Sequence, residues 1–204
     1  MTNPLNDEAL LQPLAASEPE TLDRLQQRLV RSAAQLGLLD VAYRTLDTPV
    51  GTLLLAATPI GLARVAYARE DHAAVLADLA VRISPRLLQE PSRLDGAARQ
   101  LDEYFSGRRR EFDLPLDLSL VGGFRREVLE QLRQISYGST ASYTALAARS
   151  GRPRAVRAAA SACARNPLPV VVPCHRIVRS DHSLGGYIGG LDVKQRLLAL
   201  EHAD

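Results

Sequence analysis

Apolar and polar positions change their rhythm along the chain. From Val41 the pattern is short and strand-like: Val41 to Leu46, Thr52 to Thr58 and Leu62 to Ala68 are three apolar runs. Thr48-Pro49-Val50-Gly51 and Pro59-Ile60-Gly61 separate them. Runs of that length closed by proline and glycine predict an antiparallel meander. Asp71 to Ile83 then takes a helical period through Val75, Leu76, Leu79 and Ile83. Pro85 to Pro91 reads as a connection, and Asp95 to Phe105 as a second amphipathic helix stopped near Gly107. Phe112 to Leu118 alternates and carries Pro115, the pattern of an edge strand. Helices on a sheet, ending near Asp117, predict a small α+β domain.

Ahead of this lies a different stretch. Met1 to Ala16 has few apolar anchors, so it is expected to be mobile. Ser17 and Glu20 fit a capping box with Pro19 in the first turn. Leu22, Leu25, Leu29, Ala33 and Leu36 continue as one stripe, which Gly37 can end. The organisation read from these shifts is an extension with one helix (1–40), an N-terminal domain (41–117) and a C-terminal domain (118–204).

The C-terminal domain opens with Phe124 to Ile135, a helix with Phe124, Val128, Leu129 and Leu132 on one face. Tyr137 to Tyr143 is a turn-rich linker. Thr144 to Arg149, Gly151-Arg152-Pro153 and Arg154 to Arg165 have helix-turn-helix spacing, with glycine in the turn. Arg154, Arg157 and Arg165 stand on a helix made otherwise of small residues. Small side chains let a backbone approach a surface, and arginines neutralise phosphates. Solvated arginines on a structural alanine helix would look the same.

Near the C-terminal end, Val170-Val171-Val172 reads as a short buried strand stopped by Pro173. Cys174 and His175 follow, then Ile177-Val178. A cysteine held at a bend between buried pieces suits an aimed nucleophile, although free cysteines are mostly core residues. A working thiol needs a base to take its proton and a third group to orient the base. Asp181, Asp192 and Glu201 compete for that third role. Ser183 to Leu191 carries four glycines, which permit close approach to a ligand. A last helix is expected from Asp192, as N-cap, to Glu201.

Composition narrows the function classes. The 204 residues are 46% hydrophobic and 24% charged, ordinary for a globular protein. A net charge of +2 gives no global pull toward nucleic acid, so such a role must come from local basic patches. Two cysteines and four histidines make neither a disulfide framework nor a four-ligand zinc pattern. No apolar run approaches membrane-spanning length, and the first residues lack the pattern of a signal peptide. A reduced, cytoplasmic protein is expected.

Asn166-Pro167-Leu168-Pro169-Val170-Val171-Val172-Pro173-Cys174-His175-Arg176-Ile177-Val178 resembles the active-site signature of the 6-O-alkylguanine-DNA alkyltransferases. Phe124-Arg125-Arg126-Glu127-Val128-Leu129, Tyr137-Gly138 with Tyr143, Gly186 to Leu191 and Leu197 to Glu201 resemble that family in order and spacing. The resemblance implies an RNase H-like α/β N-terminal domain with an antiparallel sheet. It implies a helical, winged-helix-like C-terminal domain carrying the helix-turn-helix. It implies irreversible, single-turnover transfer of the alkyl group from 6-O-alkylguanine, and from 4-O-alkylthymine, in duplex DNA to Cys174, with base flipping. His175 would deprotonate Cys174 through a water, Glu201 would orient His175, and Asn166 would brace the turn. Tyr143, Ile177, Tyr187 and Ile188 would hold the substrate base. Arg157 would replace the flipped base, and Arg154, Ala158 and Ala159 would meet DNA. No metal or cofactor is implied, and the partner is duplex DNA bound by a monomer that can cluster along it. Ile188 stands where other members often have a small or polar residue, which bears on bulky alkyl groups. The competing reading is a non-enzymatic sensor of alkylated DNA; the cysteine argues against it.

Overall fold

The computed structural model describes residues 24, 25, 28, 32, 33, 37 and 39–202. Of the expected first helix, Arg24, Leu25, Arg28, Ser32 and Ala33 are helical and Gly37 is a turn residue. The capping box at Ser17 to Glu20, the mobile stretch before it, and Leu22, Leu29 and Leu36 lie outside the described residues. Asp40–Asp204 forms one compact unit.

That unit begins with the predicted meander: β1 (Val41–Leu46), β2 (Leu53–Ala57) and β3 (Leu62–Tyr67), each antiparallel to the last. β2 reads Leu-Leu-Leu-Ala-Ala because both its faces are covered. Leu53 and Leu55 belong to the main core, whereas Leu54 and Ala56 join Val41, Ala66, Val75 and Leu79 on the other face. The helix over that second face is α1 (His72–Arg82), capped by Asp71, whose carboxylate accepts from Ala73 N and Ala74 N. The connection expected from Pro85 to Pro91 contains a fourth strand, β4 (Leu87–Gln89), parallel to β1. The sheet order is therefore β3-β2-β1-β4. With only three residues, β4 is too short to show a period. α2 (Asp95–Phe105) follows with Leu101 and Tyr104 fully buried.

Phe112 to Leu118 is not the edge strand expected. It is irregular, with one bridge pairing Leu62 and Leu116. Leu62 N donates to Pro115 O and Asp117 N to Leu62 O. Pro115 lacks the N–H a longer ladder needs.

α3 (Phe124–Leu132) opens the second half. The linker after it holds β5 (Ala141–Ser142), which pairs in parallel with β6 (Ile177–Val178). α4 (Tyr143–Arg149) and α5 (Val156–Ala164) form the helix-turn-helix, joined through Gly151 at φ +76, a conformation that favours glycine. Arg154 precedes α5 rather than riding on it, since Pro153 delays the helix start. α6 (Leu191–Glu201) is the last helix; its N-cap is Gly190, and Asp192 sits in the first turn. One continuous core takes in Leu53, Leu101, Leu129, Leu146, Val172 and Leu197, and so runs through both halves. Among the described residues no helix is long and apolar enough to cross a membrane.

Candidate active site

Val170-Val171-Val172 is a buried turn, not a strand. Val170 has φ +71, rare for a β-branched residue. Local hydrogen bonds override the strand propensity of three valines. Val172 N donates to Leu168 O at 2.7 Å, and Asn166 Nδ2 donates to Val172 O at 2.8 Å. Asn166 Oδ1 accepts from Leu168 N at 3.0 Å, so one buried amide holds both sides of the loop. Its Nδ2 also lies 3.1 Å from Cys174 Sγ. Cys174 opens a single 3-10 turn, Cys174–Arg176, whose three residues are all buried.

Burial pushes the Cys174 thiol up to about 11, against the opposing pull of the Asn166 hydrogen bond and the Lys194 charge. The resting thiol is thus protonated at neutral pH. Burial lowers the pKa of His175 below its ordinary 6.5, although Glu201 pulls the other way. A neutral His175 uses Nε2–H to donate to Glu201 Oε1, at 2.8 Å. Its Nδ1 is then the proton acceptor, and it is buried without a hydrogen-bond partner among the described residues.

Glu201, not Asp181 or Asp192, is the carboxylate beside His175. Asp181 is turned to Ser183 in an exposed loop. α6 carries Glu201 inward, where Arg176 Nε and Nη2 and Tyr104 Oη donate to it at 2.7–3.2 Å. Gly138 N approaches Oε2 at 3.3 Å. Burial alone would raise this carboxyl, but the bonds from His175 and Arg176 hold it down to about 2.

Tyr104, Arg176 and Lys194 had no role in the sequence reading. Lys194 Nζ is fully buried and donates to Ile177 O and Gly185 O, tying α6 to the strand after the cysteine and to the glycine loop. Its signal was present: Lys194, Leu197 and Glu201 share one helical face. Tyr104 lay on the inner face of α2 with Leu101, where a buried hydroxyl needs a partner.

Tyr143, at the start of α4, is half-buried, and burial with the nearby Cys163 and Cys174 raises its pKa. Gly185 abuts its ring: a Cβ there would stand 2.4 Å from Tyr143 Oη. Tyr187 sets its ring edge-on to His175 at 6.3 Å and shares a 2.9 Å hydrogen bond with Tyr67 Oη. Ile177 is buried, whereas Ile188 borders a cavity with Leu79, Leu120 and Pro167. Arg154, Arg157 and Ala158 are exposed. Ala159 is fully buried, so it packs in the core and does not offer a surface to DNA. The helical period turns every third or fourth residue of α5 inward, as at Ala159, Ala162 and Cys163.

Fold and site together define a thiol-bearing protein with a sheet half and a helix-turn-helix half. Residues 41–118 match the 6-O-methylguanine DNA methyltransferase ribonuclease-like domain. Residues 123–203 match the DNA binding domain of the same family. The methylated-DNA–protein-cysteine methyltransferase of Mycolicibacterium paratuberculosis is 39% identical over 161 residues, covering 79% of this chain and 92% of that protein. The constitutive enzyme of that name from Bacillus subtilis is 37% identical, covering 78% and 94%. The crystal structure of Mycobacterium tuberculosis O6-methylguanine methyltransferase superposes with a TM-score of 0.69 at 35% identity, covering 80% of this chain and 93% of that one. The Mycobacterium tuberculosis protein in complex with DNA gives 0.67 at 35% identity, covering 79% and 93%. The chain belongs to the 6-O-methylguanine DNA methyltransferase family.

Proposed function

We propose that this protein repairs alkylated DNA by moving the alkyl group from 6-O-alkylguanine in duplex DNA onto Cys174. The observation that carries the reading is a buried thiol, Cys174, directly followed by a buried His175 whose Nε2 donates to Glu201, in the half that also holds the helix-turn-helix. Family membership supports the same activity.

The chemistry is one displacement. A water between Cys174 Sγ and His175 Nδ1 carries the thiol proton to the imidazole. The imidazolium that forms donates to Glu201, which is already ionised. The thiolate attacks the alkyl carbon, the carbon–oxygen bond breaks, and guanine leaves with the electron pair. Tyr143 Oη is the group we assign to protonating the departing base. The product is a thioether, which water does not cleave, so each molecule acts once. Because the thiol is buried, the target base must leave the stack to reach it. Arg157, exposed on α5, is assigned to the space the base vacates. Transfer from 4-O-alkylthymine belongs to the same reading, as does action as a monomer.

Mixing the protein with duplex DNA carrying one 6-O-methylguanine tests this. Intact mass and peptide mapping should find one methyl per protein, on Cys174. Tight binding with no change in mass would support the sensor reading instead.

A further inference from the structure

Leu120 O accepts from two guanidinium groups at once, Arg82 Nη2 at 3.1 Å and Arg125 Nη2 at 2.7 Å. Like charges gathered on one acceptor repel unless a counter-charge joins them. Arg82 has one, in Asp78 at 3.2 Å. Arg125 has no carboxylate partner among the described residues, and its Nε is buried without a hydrogen-bond partner. Arg165 is near enough to act on Arg125: burial first, then the charges of Arg165 and Arg82, lower the Arg125 pKa. Arg165 itself donates to Ser161 Oγ at 2.6 Å and Ser161 O at 3.4 Å, and has no carboxylate partner among the described residues.

The three arginines line one cavity of about 250 Å³, with Asp78, the partner of Arg82, and Asn166 and Pro167 also on its wall. Arg64 lines it too, but is paired with Glu70. A second cleft shares Arg125 and Arg165 and adds Arg157, Ala158 and Ser161. The two unmatched cations are therefore the common wall between the cavity and the cleft beside Arg157.

We infer that Arg82, Arg125 and Arg165 form a phosphate-binding site that holds the DNA backbone beyond α5. The inference rests on the repair reading above and extends it to three arginines to which that reading gives no role. A phosphate group brings several anionic oxygens, enough to place negative charge between the guanidiniums. Continuity with the Arg157 cleft gives the phosphate its source, since DNA engaged at Arg157 would lie beside this wall. Arg82 comes from α1, so the sheet half would share in holding DNA.

The test is a titration of unmodified duplex DNA over a series of salt concentrations. Wild-type protein is compared with Arg125→Gln/Arg165→Gln and with the charge-keeping Arg125→Lys/Arg165→Lys. The slope of log affinity against log salt should become shallower by about 0.9 for each phosphate that the glutamine pair leaves unneutralised. The lysine pair should keep the wild-type slope. An unchanged slope in the glutamine pair overturns the site, as does an equally shallow slope in the lysine pair. Melting in inorganic phosphate against chloride of equal ionic strength separates the sources. A phosphate-dependent rise in wild-type Tm with no slope change makes this a small-anion site and overturns the DNA contact. Transfer from free 6-O-methylguanine base, which has no phosphate, should stay within about twofold of wild type in both variants. A wild-type protein that binds DNA yet accepts no alkyl group defeats the repair reading, while the slope comparison still decides the arginine site.

Discussion

Glu201 concentrates the chemistry of the site in one carboxylate. Its pKa of about 2 lies below the ordinary 4.5, so its ionised form favours the fold. That contribution, about 3 kcal/mol, is complete above pH 4.5 and is lost as pH falls toward 2. Acid titration of wild type against Glu201→Gln should show the difference closing over that window. Glu201→Gln should itself lose about 3–5 kcal/mol, because it strands the buried Arg176. The role proposed for His175 predicts the rate profile. The base works in its neutral form, and burial lowers its pKa below 6.5. Single-turnover transfer should therefore hold its rate through pH 6.5 and decline only below it. A midpoint above 6.5 would mean that the charge of Glu201 outweighs burial. Tyr104→Phe removes one donor to Glu201 and leaves Arg176 and His175 in place. About 1.5–3 kcal/mol of stability should be lost in denaturant melts, with transfer slowed but not abolished.

The elements of this chain were legible wherever a period had room to repeat. The three meander strands, α1, α2 and both helices of the helix-turn-helix lie within a few residues of where the apolar spacing puts them. What failed was short or locally bonded. Three valines in a row do not reveal that Asn166 and Leu168 will pull them into a turn. Nor could spacing choose among three carboxylates, because the choice depends on how α6 folds back. Cys174, His175 and Asn166 were readable as a linear signature; Tyr104 was not, since it reaches the site from 97 residues away. At this scale the role proposed for Arg157 on α5 is separable from the transfer step. Arg157→Ala should slow repair in duplex DNA more than reaction with a free guanine substrate, measured side by side. Gly185→Ala should press on Tyr143, a clash of ring against Cβ, and slow both reactions together.

For the whole molecule, the continuous core predicts that residues 40–204 unfold as one cooperative unit. Calorimetric and van't Hoff enthalpies should agree, and circular dichroism and tyrosine fluorescence should give coincident transitions. Two separate transitions would show that the halves are independent. The Tyr104–Glu201 hydrogen bond has a consequence for descent as well as for chemistry. A helix of the sheet half finishes the environment of a carboxylate that belongs to the other half. Recombination that joined this sheet half to a relative's helix-turn-helix half would have to match both sides of that contact at once. A change at one end of the hydrogen bond therefore restricts which changes the other can accept.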